Sequence, residues 1–403
     1  MVDIKFPPIP KEAAKDFGGN IVIVGAGVAG LFAANTLKYM GVDDYVVLEA
    51  SDRYGGRLKS NDVLHSEAPL DVGAEWIHAS DERMVKDMLV FPHDASKDLL
   101  PSEFIKYQPE WTFGKRNNSK LLHRMYQETK WKRSTWWHWL NAHVYRHVEE
   151  KVKLNSPVKE IVYGAKTDKG APAQVRVVCE DGTEYMADKV ICTIPLAVLK
   201  KGDVMIKFDP PLPETKRKAI DAIDMPPGCR ILFDMKDKFY SDLTFPNGIL
   251  HTLWNVGGGD LTIIYDALYG KEESTDGKGQ HILAFVVIGH KNAAPLGRLQ
   301  GEDDEIAKAA LAKIDEIFDG QGTQNYISHV VQNWTREPYI LGAYSFPGSL
   351  ISGGRHRRAL GTTVQDQVLF AGEHTSVKYF GLVPGAALEG RRAAVEAVSG
   401  AII

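Results

Sequence analysis

Four apolar residues, Ile21–Val24, run directly into Gly25-Ala-Gly-Val-Ala-Gly30, and apolar residues at helical spacing follow over Leu31–Met40. This pattern reads as a strand, a tight turn and a helix. Gly41 caps the helix, Tyr45–Leu48 reads as the next strand, and Glu49 stands at its end. Each glycine has a physical task. Gly25 permits the turn, Gly27 lets the backbone approach a pyrophosphate, and Gly30 lets the helix pack closely on the strand. The helix N-terminus then offers unpaired N–H groups and the positive end of its dipole to phosphate. Glu49 lies 19 residues after Gly30, against the ~20 at which a carboxylate receives a ribose hydroxyl. The N-terminal segment is therefore expected to form a Rossmann-type dinucleotide-binding unit.

Beyond this turn the chain divides by pattern. Residues 51–78 read as loop, and 81–150 as mostly helical, with Trp131, Trp136, Trp137 and Trp139 clustered near the end. Strands are predicted at Val158–Tyr163, Val175–Glu180 and Lys189–Ile194, then at Cys229–Met235, Leu261–Ala267 and His281–Gly289. Asp303–Phe318 is an amphipathic helix, Val368–Gly372 a last strand and Gly385–Val398 a last helix. A chain of 403 residues has room for two lobes.

After Glu49 the chain reads Ala-Ser-Asp-Arg53-Tyr-Gly55-Gly56-Arg57. An arginine beside paired glycines can lay its guanidinium and the loop N–H groups against a second phosphate. The run E-A-x-x-R-x-G-G-R resembles the flavin amine oxidase family, which includes monoamine oxidases, polyamine oxidases and lysine-specific histone demethylases. Further segments resemble that family in the same order. Asp71-Val-Gly-Ala74-Glu-Trp76-Ile-His78 resembles the segment beside the flavin ring, and Ser156-Pro-Val158 the strand whose valine backbone meets the adenine. Ala187–Leu196, with Thr193, resembles the segment that closes over the ribityl–phosphate region. Asn333-Trp334 through Gly342-Ala343-Tyr344, and Leu369-Phe-Ala-Gly-Glu373-His-Thr-Ser through Tyr379 to Gly385, resemble the C-terminal landmarks. The resemblance implies that Glu373 hydrogen-bonds the ribityl chain. It also implies that the helix opening near Val383 points its N-terminus at the flavin edge where charge gathers on reduction.

The implied fold class is α/β, a Rossmann-type FAD-binding domain with a mixed-sheet plus helical substrate domain. The expected division is 1–78, 151–205 and 360–403 for FAD, and 79–150 with 206–359 for substrate and a helical lid. Ala343 stands where monoamine oxidases carry the cysteine that bonds flavin, so FAD is expected to be non-covalent. Trp76-Ile-His78 replaces a basic residue found in relatives that act on amino acids, which favours amines without an α-carboxylate. The family's lysine near flavin N5 is matched by Arg230. Tyr344 is expected as one aromatic wall of the amine pocket, Tyr379 as a second pocket aromatic, and His78 as a hydrogen-bonding partner of the amine. Leu382 stands where the cage has its other wall.

The expected activity is oxidation of a polyamine or aryl-alkyl amine to an imine and then an aldehyde, with O2 reduced to H2O2. Alternatives are a flavin desaturase or dehydrogenase acting on a C–C bond, and a flavin-containing binding protein with weak turnover. A net charge of −4 argues against a nucleic-acid partner bound through a basic surface. The three cysteines, Cys179, Cys192 and Cys229, lack metal-ligand spacing and fit a reducing cytoplasm. No apolar run reaches the roughly 20 residues of a membrane helix. The chain is expected as a monomer or homodimer.

Overall fold

The computed structural model describes residues 4–61, 63–64, 66, 68–77, 83–91, 104–107, 111–113, 120–122, 128–166, 173–240, 249–255, 260–269, 271, 279–346 and 353–400. Residues from both ends of the chain build one parallel sheet of five strands, in the order Val368–Phe370, Lys189–Cys192, Ile21–Val24, Tyr45–Leu48 and Val152–Lys153. Its central strand is apolar on both faces because both faces are covered. Ile21 and Ile23 enter the core shared with the glycine-turn helix, Val28–Tyr39, while Val22 and Val24 enter a second core on the opposite side. That second core is closed by a four-stranded sheet, Glu184–Ala187, Val175–Cys179, Val158–Val162 and Lys207–Asp209.

The C-terminal helix, Val383–Ser399, packs on the glycine-turn helix at backbone contact. A Cβ on Gly390 would lie 2.1 Å from the Ala29 carbonyl oxygen, so only glycine fits there. Gly30 meets the same condition, since a Cβ there would lie 1.9 Å from the Gly25 carbonyl oxygen. The helix is thereby drawn onto the turn whose N–H groups face the ligand.

A second, antiparallel sheet has the order Ile249–Asn255, Asp260–Asp266, His281–Ile288, Gly228–Met235 and Tyr326–Asn333. Alternation divides its faces. Cys229, Ile231 and Phe233 join Phe285 and Val287 in a core against the helix Asp303–Phe318. On the opposite face, Leu232, Val286, Ile288 and Tyr265 pack with Leu70 and Val72. Arg230 lies on this second face, in register with Val286 on one side and Gln332 on the other, and Ile263 pairs with Val286.

The reading of 81–150 as mostly helical is corrected. Among the described residues, helix occupies Arg83–Asp87 and Trp136–His143, with short 3-10 turns at Tyr145–His147 and Glu149–Lys151. Phe104–Tyr107 pairs antiparallel with Glu128–Trp131, and Trp111–Phe113 with Lys120–Leu122. Aromatic and β-branched residues in these runs suit a pleated surface. The tryptophan cluster belongs to the dinucleotide side. Trp131, Trp136 and Trp139 are buried in the dinucleotide-side core with Phe32, and Trp139 stacks on Phe32 at 6.4 Å. Thr135 starts the Trp136–His143 helix by accepting a hydrogen bond from the His138 N–H at 3.1 Å. Residues 131–150 thus pack with the dinucleotide unit, and Val152–Lys153 continues from them as an edge strand of its sheet.

Candidate active site

A cavity of about 1330 Å³ runs from the carboxyl ends of the parallel strands to the open face of the antiparallel sheet. Its first part is the glycine turn. Gly25, at φ 104°, turns the chain as the sequence requires, and Gly25 and Gly27 line the cavity. Glu49 lines it too, held in place by its own bonds: Oε2 accepts from the Ala26 N–H at 2.7 Å, and Oε1 from the Ser51 N–H at 3.0 Å and its hydroxyl at 2.7 Å. A carboxylate has about four acceptor positions, so Glu49 keeps one for a ribose hydroxyl. Val158 and Thr193 line the same region. The Thr193 hydroxyl donates to the Val24 carbonyl at 2.8 Å, tying that segment to the first strand.

The middle of the cavity is organised by Glu373. This buried carboxylate accepts from Arg57 Nη1 at 2.8 Å, the Ser345 N–H at 3.0 Å, the Ser345 hydroxyl at 2.5 Å and the Gly381 N–H at 2.7 Å. Burial would raise its pKa, but Arg57, His374 and these donors hold it down at about 2. All four acceptor positions are filled, so Glu373 acts first as a clamp joining three segments. Arg57 Nη1 also donates to the Ala343 carbonyl at 3.0 Å. Gly56, Arg57, Trp334 and Val383 all line this part.

The inner end is formed by Ala74, Trp76, Tyr344 and the sheet residues Arg230, Ile263 and Val286. Tyr344 and Leu382 both line the cavity. Tyr379 does not line the cavity among the described residues. It packs on the dinucleotide-side core, and its carbonyl oxygen lies 1.9 Å from where a Cβ on Gly385 would stand, seated on the opening turn of the C-terminal helix. His78 lies outside the described residues.

Sequence reasoning missed what surrounds Arg230. Its Nη1 donates to the Asp71 carbonyl at 2.7 Å and to Glu75 Oε2 at 2.9 Å. Glu75 also accepts from the Tyr265 hydroxyl and lies 3.6 Å from Lys130 Nζ. Burial alone would raise the Glu75 pKa, yet Lys130, Arg230 and Tyr265 hold it below the usual range. Burial depresses Lys130 to about 8, against the pull of Glu75. Burial and the neighbouring Glu75 push Asp71 up to about 8. A signal did exist: an arginine inside the apolar run Cys229–Phe233 needs a buried acid, and Glu75 was in a segment already marked for the flavin.

The residues present fit FAD. A phosphate-accepting turn, a carboxylate with a spare acceptor position and a second loop bearing Arg57 stand in sequence along one cavity. The family model for flavin containing amine oxidoreductases matches residues 140–398, and the model for NAD(P)-binding Rossmann-like domains matches 23–90. The chain belongs to the flavin-containing amine oxidoreductase family. Human lysine-specific histone demethylase 2 is 31% identical over 251 residues, covering 60% of this chain and 27% of that protein. The chain thus spans about a quarter of the length of the first curated relatives it matches. Polyamine oxidase 3 of Oryza sativa subsp. japonica is 24% identical, with 93% of this chain and 88% of that protein covered. Cyclohexylamine oxidase from Brevibacterium oxydans superposes with a TM-score of 0.70 at 15% identity, over 95% of this chain and 99% of that one. This last likeness shows the family's fold. Among the described residues no helix is long and apolar enough to cross a membrane, and no group of three or more His, Cys, Asp or Glu side chains could hold a metal.

Proposed function

We propose that this chain oxidises an amine, taking a polyamine or an aryl-alkyl amine to an imine that water hydrolyses to an aldehyde. For a primary amine the overall change is R–CH2–NH2 + O2 + H2O → R–CHO + NH3 + H2O2. The observation that carries this reading is the continuity of the dinucleotide cradle with an inner chamber walled by Trp76, Ile263, Val286 and Tyr344.

FAD bound here without a covalent link would supply the hydride-accepting and oxygen-reducing chemistry. Non-covalent attachment is supported by Ala343, an alanine lining the cavity where a covalent link would need a cysteine. The protein's part is positioning and exclusion of water. The face of the Tyr344 ring attracts the amine, and the apolar sheet residues keep the reacting carbon dry. The Val383–Ser399 helix opens beside the cavity, so its N–H groups favour negative charge there. Arg230 adds a fixed positive charge at the inner end, which favours hydride arrival and steadies a reduced oxygen species.

Peroxide release with spermidine, putrescine, benzylamine and cyclohexylamine tests the proposal. Aldehyde and peroxide formed in equal amounts from at least one amine is the expected result. An aerobic panel that yields neither overturns it. A second reading has one observation behind it: a corticosteroid-binding protein of Candida albicans is 25% identical over 93% of this chain and 94% of its own length. A binding role without turnover would appear as a flavin spectrum perturbed by apolar ligands and bleached by no amine.

A further inference from the structure

The Arg230 guanidinium is pinned by one nitrogen. Nη1 makes both of its hydrogen bonds, to Asp71 and Glu75, and the side chain is only 7% exposed. Among the described residues Nε and Nη2 have no protein acceptor, and Arg230 lines the cavity. A rigid pair of parallel N–H donors is therefore left for a chamber whose sheet wall, Ile263, Val286 and Ile288, is apolar and whose other walls include Trp76 and Tyr344. That edge matches the two oxygens of a carboxylate, and burial strengthens such a charge-assisted pair.

The charges around it have the right sign. Glu75 is shared among Arg230, Lys130 and Tyr265, so it does not neutralise the site. Lys271 donates to the Trp131 and Ser134 carbonyls close by and feels both Glu75 and Asp71. Lys238 and Asp266, 2.8 Å apart, cancel one another. Burial and the neighbouring Glu75 push the Asp71 carboxyl up, toward its neutral form. Three basic side chains, Arg230, Lys130 and Lys271, thus stand against two acids, Glu75 and Asp71, and the excess is positive.

We propose that the inner end of the cavity is a carboxylate site, where a small organic acid with an apolar body meets the Nε–Nη2 edge of Arg230 and lies on Ile263, Val286 and Ile288. Glu75 is the positioning residue that turns this edge into the chamber. The inference rests on the reading that this chamber also receives the amine, so such acids compete with amines. A carboxylate carried by the substrate itself must lie away from the reacting carbon, since the carbon has to reach the flavin while the acid reaches the sheet.

The test uses the holoenzyme and the visible spectrum of its bound flavin, titrated with benzoate and with neutral benzamide. Benzoate is expected to bind roughly tenfold more tightly, the preference a paired cation gives an anion over its neutral isostere. Arg230→Lys, which keeps the charge and loses the fork, should shrink that preference. Arg230→Met removes the fork while Glu75 keeps Lys130 and Tyr265 as partners, and there the preference should vanish. A further arm uses 4-(aminomethyl)benzoate. Flavin bleaching at lower concentration than benzylamine marks a substrate-borne carboxylate, and binding without bleaching marks a separate acid. Equal affinity for benzoate and benzamide, or a preference that survives in Arg230→Met, overturns the inference. Bleaching by benzylamine in that case leaves the amine oxidase reading standing. A benzoate preference with no bleaching by any amine would do the reverse.

Discussion

Glu75→Ala tests the buried charge cluster most severely. Glu75 is 4% exposed and takes donors from Arg230, Lys130 and Tyr265. Removing it leaves a buried guanidinium with one hydrogen bond, takes its acid from a buried ammonium that also donates to the Ala267 carbonyl at 3.0 Å, and strips a phenol of its acceptor. Breaking a buried ion pair from one side costs about 3–5 kcal/mol. Arg230→Met should cost less, ~1–3 kcal/mol, because Glu75 keeps Lys130 and Tyr265. The double variant should then cost less than the sum by ~1–3 kcal/mol, the size of coupling seen between residues in one network. Urea unfolding followed by tryptophan fluorescence measures all three variants against the parent chain. A Glu75→Ala cost below ~1 kcal/mol, or costs additive to within ~0.5 kcal/mol, would refute the claim that these groups depend on one another.

Three further outcomes are expected. Gly390→Ala would place a Cβ 2.1 Å from the Ala29 carbonyl, and overpacking of ~1–3 kcal/mol outweighs the helix-propensity gain of up to ~1 kcal/mol; FAD affinity should weaken with stability, and unchanged values of both contradict the close crossing. Glu373, lowered from 4.5 to about 2, contributes stability that is complete above pH 4.5 and is lost as the pH falls toward 2, at most about 3 kcal/mol; Glu373→Gln should flatten that part of the stability–pH curve, and an unaltered slope counts against the clamp. Tyr344→Ala should slow flavin reduction at least tenfold, about 1.4 kcal/mol of barrier, with little change in unfolding midpoint; the opposite pattern would make Tyr344 a core residue.

The sequence carried the dinucleotide half further than the substrate half, for physical reasons. The Ile21–Val24 and Tyr45–Leu48 strands, the glycine turn and Glu49 are local, and each position has a short-range cause. The Asp303–Phe318 helix was equally legible because its apolar period is uninterrupted. Arg230 was placed at the cavity by its motif, but its environment was not. Its partners Glu75 and Asp71 are brought together across more than 150 residues by sheet packing, which no local pattern encodes. Lys130 was hidden by reading its segment as helix, where a strand turns it toward Ala267. Tyr379 was assigned to the pocket by resemblance, which carries no information on the packing that sets its ring against the dinucleotide-side core. The strand Lys207–Asp209 was missed because it is short and mostly exposed and its only pairing in the sheet is with the distant Val158–Val162.

The central claim is that amines donate hydride to a flavin held in this cavity, and anaerobic mixing decides it directly. The purified yellow holoenzyme, stripped of O2, is mixed with benzylamine, cyclohexylamine, putrescine or spermidine while the flavin absorbance is followed. At least one amine should bleach the flavin completely, at a rate that saturates with amine concentration, and readmitted O2 should restore the colour with release of H2O2. A flavin that stays oxidised with every amine would contradict the account, whatever its spectrum does on binding.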